Sequence, residues 1–336
     1  MADRWLTIVG IGEDGLDGLT DLTKSLIANA EVVFGGERHL RLVRGMNLAE
    51  QRRWQSPIET SIEEVARLRG RKRVCVLASG DPFHYGIGAT LARRVPAAEM
   101  LVITSPSSFS LAAARMGWPL QDVTTLSLHG RPIELVLPHL HPGRKILALT
   151  SDETGPAQIS GLLTEAGFGR SAMTVLDALG GPHERVRTAL AQAFGIENIS
   201  PLNVLAIDIL ADENARILPL TPGLPDDWFD HDGQITKREV RALTLAALAP
   251  RRGELLWDIG AGSGSVGIEW MLADPSLSAI AVEADPIRGA RIADNAALMG
   301  VPGLTIRVGR APQVLEKLEK PDAIFIGGGG TEEGVV

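Results

Sequence analysis

Short runs rich in Val, Ile and Leu alternate with segments of helical periodicity along nearly the whole chain. This alternation leaves few folds open. Predicted strands cover 5–9, 31–34, 73–78, 100–104, 123–127, 145–150, 172–176 and 203–209, and helices at 20–30, 62–68, 108–116 and 155–166 fall between them. A chain that passes repeatedly from strand to helix and back builds sheets with helices packed on their faces, so the fold class is α/β. The 336 residues exceed one ordinary domain of ~100–200 residues, which predicts two. Pro219, Pro222, Gly223 and Pro225 precede Asp226-Asp227 and mark a linker. A second α/β pattern follows: helix 236–248, strand 254–259, helix 265–272, strand 278–283, helix 286–299, and strands 304–308 and 322–326. The predicted division is therefore a first domain at 1–210, a linker at 211–225 and a second domain at 226–336. Four strands are few for an open doubly wound sheet, so the second domain is expected to be incomplete at its C-terminal end.

Composition narrows the function. Aromatic residues are only 4% of the chain, so aliphatic side chains must form the core. Cys75 is the single cysteine, which excludes an internal disulfide and a cysteine-based zinc cluster. Its setting, Arg73-Val74-Cys75-Val76-Leu77, reads as a buried strand and an inert thiol. No apolar run approaches the ~20 residues that span a bilayer. Gly10, Gly12, Glu13 and Asp14 interrupt the first apolar run before it resembles a signal peptide, so the expected location is cytoplasmic. The net charge is −8: residues 1–210 carry 21 basic and 22 acidic groups, and residues 211–336 carry 12 and 19. Neither half has the basic excess of a nucleic-acid binder.

Two glycine-rich turns follow predicted strands. Gly10-Ile11-Gly12-Glu13-Asp14-Gly15 satisfies G-x-G-x-x-G. A dinucleotide site would place a pyrophosphate at the following helix N-terminus. Glu13, Asp14 and Asp17 would surround it with negative charge, and the helix begins late, near Thr20. The turn is read instead as a plain strand-to-helix connection or as one shaped around a ligand without phosphate. The second turn, Asp258-Ile259-Gly260-Ala261-Gly262-Ser263-Gly264, joins a strand to a helix, and Glu283 ends the next strand 23 residues after Gly260. A carboxylate there can accept hydrogen bonds from both ribose hydroxyls. NAD, FAD and S-adenosylmethionine all fit this pattern. The G-x-G-x-G spacing after an acidic residue is the form common in class I methyltransferases.

Other stretches carry a resemblance. Val9-Gly10-Ile11-Gly12 with Leu19-Thr20, Ala78-Ser79-Gly80-Asp81-Pro82-Phe83-His84-Tyr85-Gly86, and Ser105-Pro106-Ser107-Ser108-Phe109 resemble the tetrapyrrole (corrin/porphyrin) methylase family. Phe34-Gly35-Gly36-Glu37-Arg38-His39-Leu40 and Ser127-Leu128-His129-Gly130-Arg131 resemble its cobalamin-pathway branch acting on precorrin-6Y. Residues 226–336 resemble the class I partner that methylates the same macrocycle. The resemblance implies a two-lobed class III methylase fold followed by a Rossmann-like class I domain. It implies S-adenosylmethionine as cofactor of both. It also implies methylation at C5 by the first domain and at C15 by the second, with loss of a ring acetate carboxyl to give precorrin-8. By match, Gly10, Gly12, Gly80, Asp81, Ser107 and Ser108 serve the first cofactor site. Thr236, Gly260, Ala261, Gly262, Ser263, Gly264, Glu283 and Ala311 serve the second. Class III relatives pair as dimers and class I partners form larger rings, so a homo-oligomer is expected.

The chemistry asks little covalent help of a protein. Carbon methylation needs in-line approach of two held reactants, so no metal and no nucleophilic side chain is expected. The substrate is rich in carboxylates, which arginine binds as a fork. Arg38, His39, His84, His129 and Arg131 are the candidates for binding it. Thr236 is also read as the N-cap of the 236–248 helix, with Glu239 completing a capping box, and Ser107 or Ser108 as the cap of 108–116. Glu184 is read as a helix N-terminal charge and His231 as a linker residue. The competing readings are a methyltransferase on another substrate, a fusion in which one half only binds cofactor, and a dehydrogenase. Amino-methylating class I enzymes carry Asn-Pro-Pro-Tyr or Asp-Pro-Pro-Tyr after the fourth strand, where this chain has Ile326-Gly327-Gly328-Gly329-Gly330.

Overall fold

The computed structural model describes residues 4–46 and 50–328. It divides into two compact units. The first comprises Met1–His129, Lys145–Ala157 and Ala172–Asp208, and the second Gly130–Arg144, Gln158–Ser171 and Ile209–Val336. Compactness therefore does not follow chain order: two segments below residue 210 count with the second unit.

In the first unit the elements run β1 (Leu6–Ile11), α1 (Asp21–Ala28), β2 (Val32–Gly35), α2 (Glu37–Leu42), β3 (Gln51–Arg53), α3 (Ile58–Arg67), β4 (Val74–Ser79), α4 (Ile87–Leu91) and β5 (Met100–Ile103). The five strands form a parallel sheet in the order β3-β2-β4-β1-β5. Their side chains alternate between two cores. Leu6, Ile8, Val32, Phe34, Val74 and Val76 face one, and Val9, Ile11, Val33, Cys75 and Leu77 face the other. A parallel sheet covered on both faces reads as an unbroken apolar run for this reason. Cys75 is fully buried, and burial pushes its thiol up to about 12.

The chain continues through α5 (Ser108–Met116), β6 (Val123–Ser127), β7 (Lys145–Leu149), α6 (Gly155–Glu165), β8 (Ala172–Asp177), β9 (Arg185–Leu190) and β10 (Asn203–Asp208). The second sheet is ordered β6-β7-β10-β8-β9, parallel only between β6 and β7. Helix α5 packs Phe109, Ala112 and Ala113 onto Leu147, Leu176 and Val204 of this sheet. Strand β9 escapes sequence reading because it is an edge strand with no buried face, and two of its arginines pair with Asp177. Glu184 precedes that strand and heads no helix. It accepts from Gly180 N at 2.7 Å and pairs with Arg115. Helix α3 begins four residues before the expected 62; in its first turn Ile58 packs against the core, while Glu59 and Thr60 are exposed and extend no apolar pattern.

The second unit holds α7 (Arg238–Leu248), β11 (Leu255–Ile259), α8 (Ser265–Ala273), β12 (Ser278–Glu283), α9 (Pro286–Leu298), β13 (Thr305–Val308) and β14 (Ala323–Ile326). Its parallel sheet runs β13-β12-β11-β14. Helix α7 starts at Arg238 with Lys237 at its N-cap and no side-chain capping bond, so Thr236 is not the cap expected of it. Arg241 takes the hydrogen-bonding role instead: it is fully buried, and one of its NH groups donates to the Thr236 carbonyl. Among the described residues no helix is long and apolar enough to cross a membrane.

Candidate functional site

In the second unit the strand order reverses between β11 and β14. Open α/β sheets bind ligands at such a point, outside the carboxyl ends of the strands. A cleft of about 420 Å³ opens there, within the roughly 300–1,000 Å³ of small-molecule sites. Gly260, Ala261, Gly262, Thr236, Ala311 and Glu283 line it. Gly260 has φ +71°, and a Cβ on it would lie 2.6 Å from the Gly328 nitrogen, so only glycine lets β11 turn under the chain leaving β14. Glu283 ends β12 and is held from the protein side. Gly262 N donates to its Oε2 at 2.8 Å and Asp285 N to its Oε1 at 3.0 Å. Those two bonds fix the carboxylate and leave further acceptor capacity on both oxygens for hydroxyl donors in the cleft. Asp258 lies beneath, fully buried, accepting from Gly267 N at 3.0 Å. Burial, reinforced by the Glu283 charge, pushes its carboxyl up to about 7. Ser263 and Gly264 do not line the cleft. The Ser263 carbonyl accepts from Asn295 Nδ2 at 2.9 Å, and Gly264 opens α8 against Ile292.

Gln234, Arg288 and Arg310 line the same cleft and were not expected from sequence. Gln234 and Arg310 lie on connecting loops, where no periodic pattern marks a position. Arg288 lies on α9, and its Nε donates to Asp232 Oδ2 at 2.8 Å, holding that carboxyl down at about 2. The lining residues fit a nucleoside: room, close backbone approach at the glycine turn and a fixed carboxylate at the strand end.

In the first unit the corresponding place is the carboxyl end of β1, β4 and β5. Three turns meet there by backbone contact. A Cβ on Gly10 would lie 1.8 Å from the Gly80 carbonyl oxygen; Ser105 Oγ donates to the Gly10 carbonyl at 2.8 Å. Gly10 is thus required by the protein's own packing. Gly12, Gly80 and Ser108 line a narrow cavity of about 60 Å³ with Arg38, Glu13, Ser79 and leucines of the second sheet. That volume is small beside the roughly 300 Å³ of small-molecule sites, and the cavity is open to solvent on one side. Ser107 Oγ accepts from Ser110 N at 3.1 Å and caps α5, as expected. Asp81 Oδ1 accepts from Phe83 N at 2.8 Å in a local turn.

The structure brings Arg38 and His39 together. One Arg38 nitrogen contacts Glu13, and the other donates to Ser79 Oγ at 2.7 Å and to His39 Nε2 at 2.9 Å. A guanidinium only donates, so Nε2 accepts and the imidazole is neutral with its proton on Nδ1. Burial, with Arg38 adding to it, lowers His39 to about 4. The other candidates stand apart from this cluster. His84 stacks on Tyr85 with ring centroids 5.3 Å apart and meets Phe109 at a tilt, 4.9 Å away. His129 is exposed after β6, with Nδ1 3.3 Å from the Thr150 carbonyl oxygen. Arg131 is exposed and belongs to the other compact unit.

Comparison with known proteins bears on both clefts. Residues 5–194 match the tetrapyrrole (corrin/porphyrin) methylases, and residues 227–336 match the precorrin methyltransferase domain. A precorrin-6Y C(5,15)-methyltransferase [decarboxylating] from Sinorhizobium sp. is 60% identical over 332 residues, covering 99% of this chain and 80% of that protein. This chain belongs to that family. It is a methyltransferase with a tetrapyrrole methylase domain followed by a second methyltransferase domain. Single-domain relatives match parts of it. A cobalt-precorrin-7 C(5)-methyltransferase from Salmonella typhimurium is 30% identical over 181 residues, 54% of this chain and 88% of that protein. A probable cobalt-precorrin-6B C(15)-methyltransferase (decarboxylating) from Pyrobaculum calidifontis is 41% identical over 116 residues, 33% of this chain and 60% of that protein. The glycine turn and Glu283 therefore sit in a methyltransferase domain, which disfavours the dehydrogenase reading that their pattern alone left open.

Proposed function

We propose that the chain uses S-adenosylmethionine to methylate a precorrin-6Y macrocycle at C5 and C15 and removes the carboxyl of a ring acetate, giving precorrin-8. The observation that carries this reading is the second cleft, where the glycine turn, the backbone-held Glu283 and the Thr236 and Ala311 walls converge on one space. When bound, the cofactor supplies an electrophilic sulfonium methyl. The chain's part is to hold two reactants in line, which supplies much of the rate. Glu283 takes the ribose hydroxyls, Gly260 and Gly262 let the ligand lie against backbone, and the Gln234–Thr236 and Gly309–Ala311 segments shield it from water. The decarboxylation belongs to this second half, as the Pyrobaculum relative's name has it for that protein.

The C5 step is assigned to the first half on family match. Arg38 and His39 are the residues we assign to substrate carboxylates there. In this reading 1–210 and 226–336 are the two catalytic domains joined by 211–225, the protein is a cytoplasmic homo-oligomer, and nucleic acid is no substrate. Anaerobic incubation with precorrin-6Y and methyl-labelled S-adenosylmethionine, read by mass spectrometry, tests it. Two added methyls with loss of carbon dioxide are expected. The small first cavity favours a second reading, in which only the second half is catalytic. One methyl together with loss of carbon dioxide would establish that reading instead.

A further inference from the structure

Glu13 attracts notice in the sequence only as a charge that would repel a pyrophosphate. In the structure it has a definite partner. Its carboxylate contacts Arg38 NH1, and both side chains line the first cavity together with Ser79. Neither is a free surface group: the side chains are 28% and 21% exposed for Arg38 and Glu13. The position of Glu13 is set by packing, since a Cβ on Gly181, in the loop after β8, would come within 2.6 Å of Glu13 Cβ. The guanidinium fork is split. Its NH2 is committed to Ser79 and His39, and Glu13 meets it through NH1 with one oxygen. A one-point pair inside a cavity is the weaker form of a contact that arginine can make bidentately.

We propose that Glu13 is an internal stand-in for a substrate carboxylate, occupying Arg38 until a carboxylate side chain of the macrocycle displaces it. The pair keeps a mostly buried cation neutralised until a ligand carboxylate enters. It also makes entry conditional on a ligand with its own carboxylate, because any other ligand would strand the Arg38 charge. Ser79 and neutral His39 hold the guanidinium plane throughout, so the exchange changes the anion and leaves the cation in place. The inference rests on the proposed reading that the first unit acts on a carboxylate-rich macrocycle.

The test compares KM for precorrin-6Y in C5 methylation at saturating S-adenosylmethionine. Glu13→Gln removes the competitor and is expected to lower KM roughly two- to fivefold, the size of a partly exposed ion pair. Arg38→Gln should raise KM at least about tenfold, as loss of a charge-assisted contact does. The double variant should match Arg38→Gln, because Glu13 acts only through Arg38. A KM for Glu13→Gln that is unchanged or higher overturns the proposal. Should Glu13→Gln fail to fold, the ¹⁵Nε resonance of Arg38 in the wild-type protein, assigned with Arg38→Lys, replaces it. The signal is expected to move when precorrin-6Y is added, and a fixed signal at saturation overturns the exchange. A wild-type protein that transfers no methyl to precorrin-6Y defeats the underlying reading and is thereby told apart from failure of the exchange alone.

Discussion

At the scale of single residues, burial does more than identity. Asp258 and His39 are ordinary ionisable side chains whose pKa values move because of where the fold puts them. Asp258 is raised to about 7 by burial and the Glu283 charge. Between about pH 4 and pH 7 the folded chain then holds a proton that the unfolded chain has lost, so stability falls as pH rises through that window. Asp258→Asn is expected to flatten this slope, by an amount of the order of a few kcal/mol, in urea unfolding at pH 5 and pH 7.5. His39 acts oppositely. Lowered to about 4, it stays neutral in the fold while the unfolded chain gains a proton below pH 6.5, so its contribution is lost as pH falls towards 4. His39→Gln should reduce that acid-side loss, and the two variants separate opposing slopes in one titration. Gly10 makes a steric prediction. Gly10→Ala drives a methyl into the Gly80 carbonyl and should cost about 1–3 kcal/mol, read as a lower urea midpoint. Sequence reading places Gly10 beside a ligand; the structure shows backbone on its open side, a fact no local pattern contains.

At the scale of elements, strands are the most legible part of the chain. Residues 123–127 and 278–283 are predicted with the bounds the structure shows for β6 and β12, since short runs of β-branched and apolar residues between turn signals admit little else. Edge elements are not legible: β9 has no buried face and β3 is only three residues long. The start of α7 is misread for a different reason. Thr236 and Glu239 spell a capping box, but the Thr236 carbonyl is drawn to buried Arg241, which also contacts Glu269, Asp226 and the Leu224 carbonyl. A tertiary charge network overrides the local cap. Arg241→Met leaves Glu269 buried without its charge partner and should cost about 3–5 kcal/mol, measured by chemical unfolding. It should also raise the cofactor's dissociation constant at the second cleft, because the Thr236 wall loses its anchor.

At the scale of the whole molecule, the two halves are two separate cofactor questions. Calorimetry with S-adenosylmethionine is expected to find two bound per chain. Glu283→Ala should remove the event at the second cleft, weakening it at least about tenfold through loss of a charged hydrogen-bond acceptor, and leave the other. The sequence by itself determined the α/β class, the presence of two methyltransferase patterns, and the glycine turn with its acidic residue at the next strand end. These are local in the chain: apolar strand runs, turn glycines and a strand-end carboxylate are written within about 30 residues of one another, the length of one βαβ unit. Only the tertiary structure decided which residues share a space. It grouped Arg38 with Glu13, Ser79 and His39 and left His84 and His129 elsewhere. It placed Gln234 and Arg310 in the second cleft, and it assigned 130–144 and 158–171 to the second compact unit. Those relations depend on long-range strand order and on where buried charge finds a partner, and both are settled by packing across the chain.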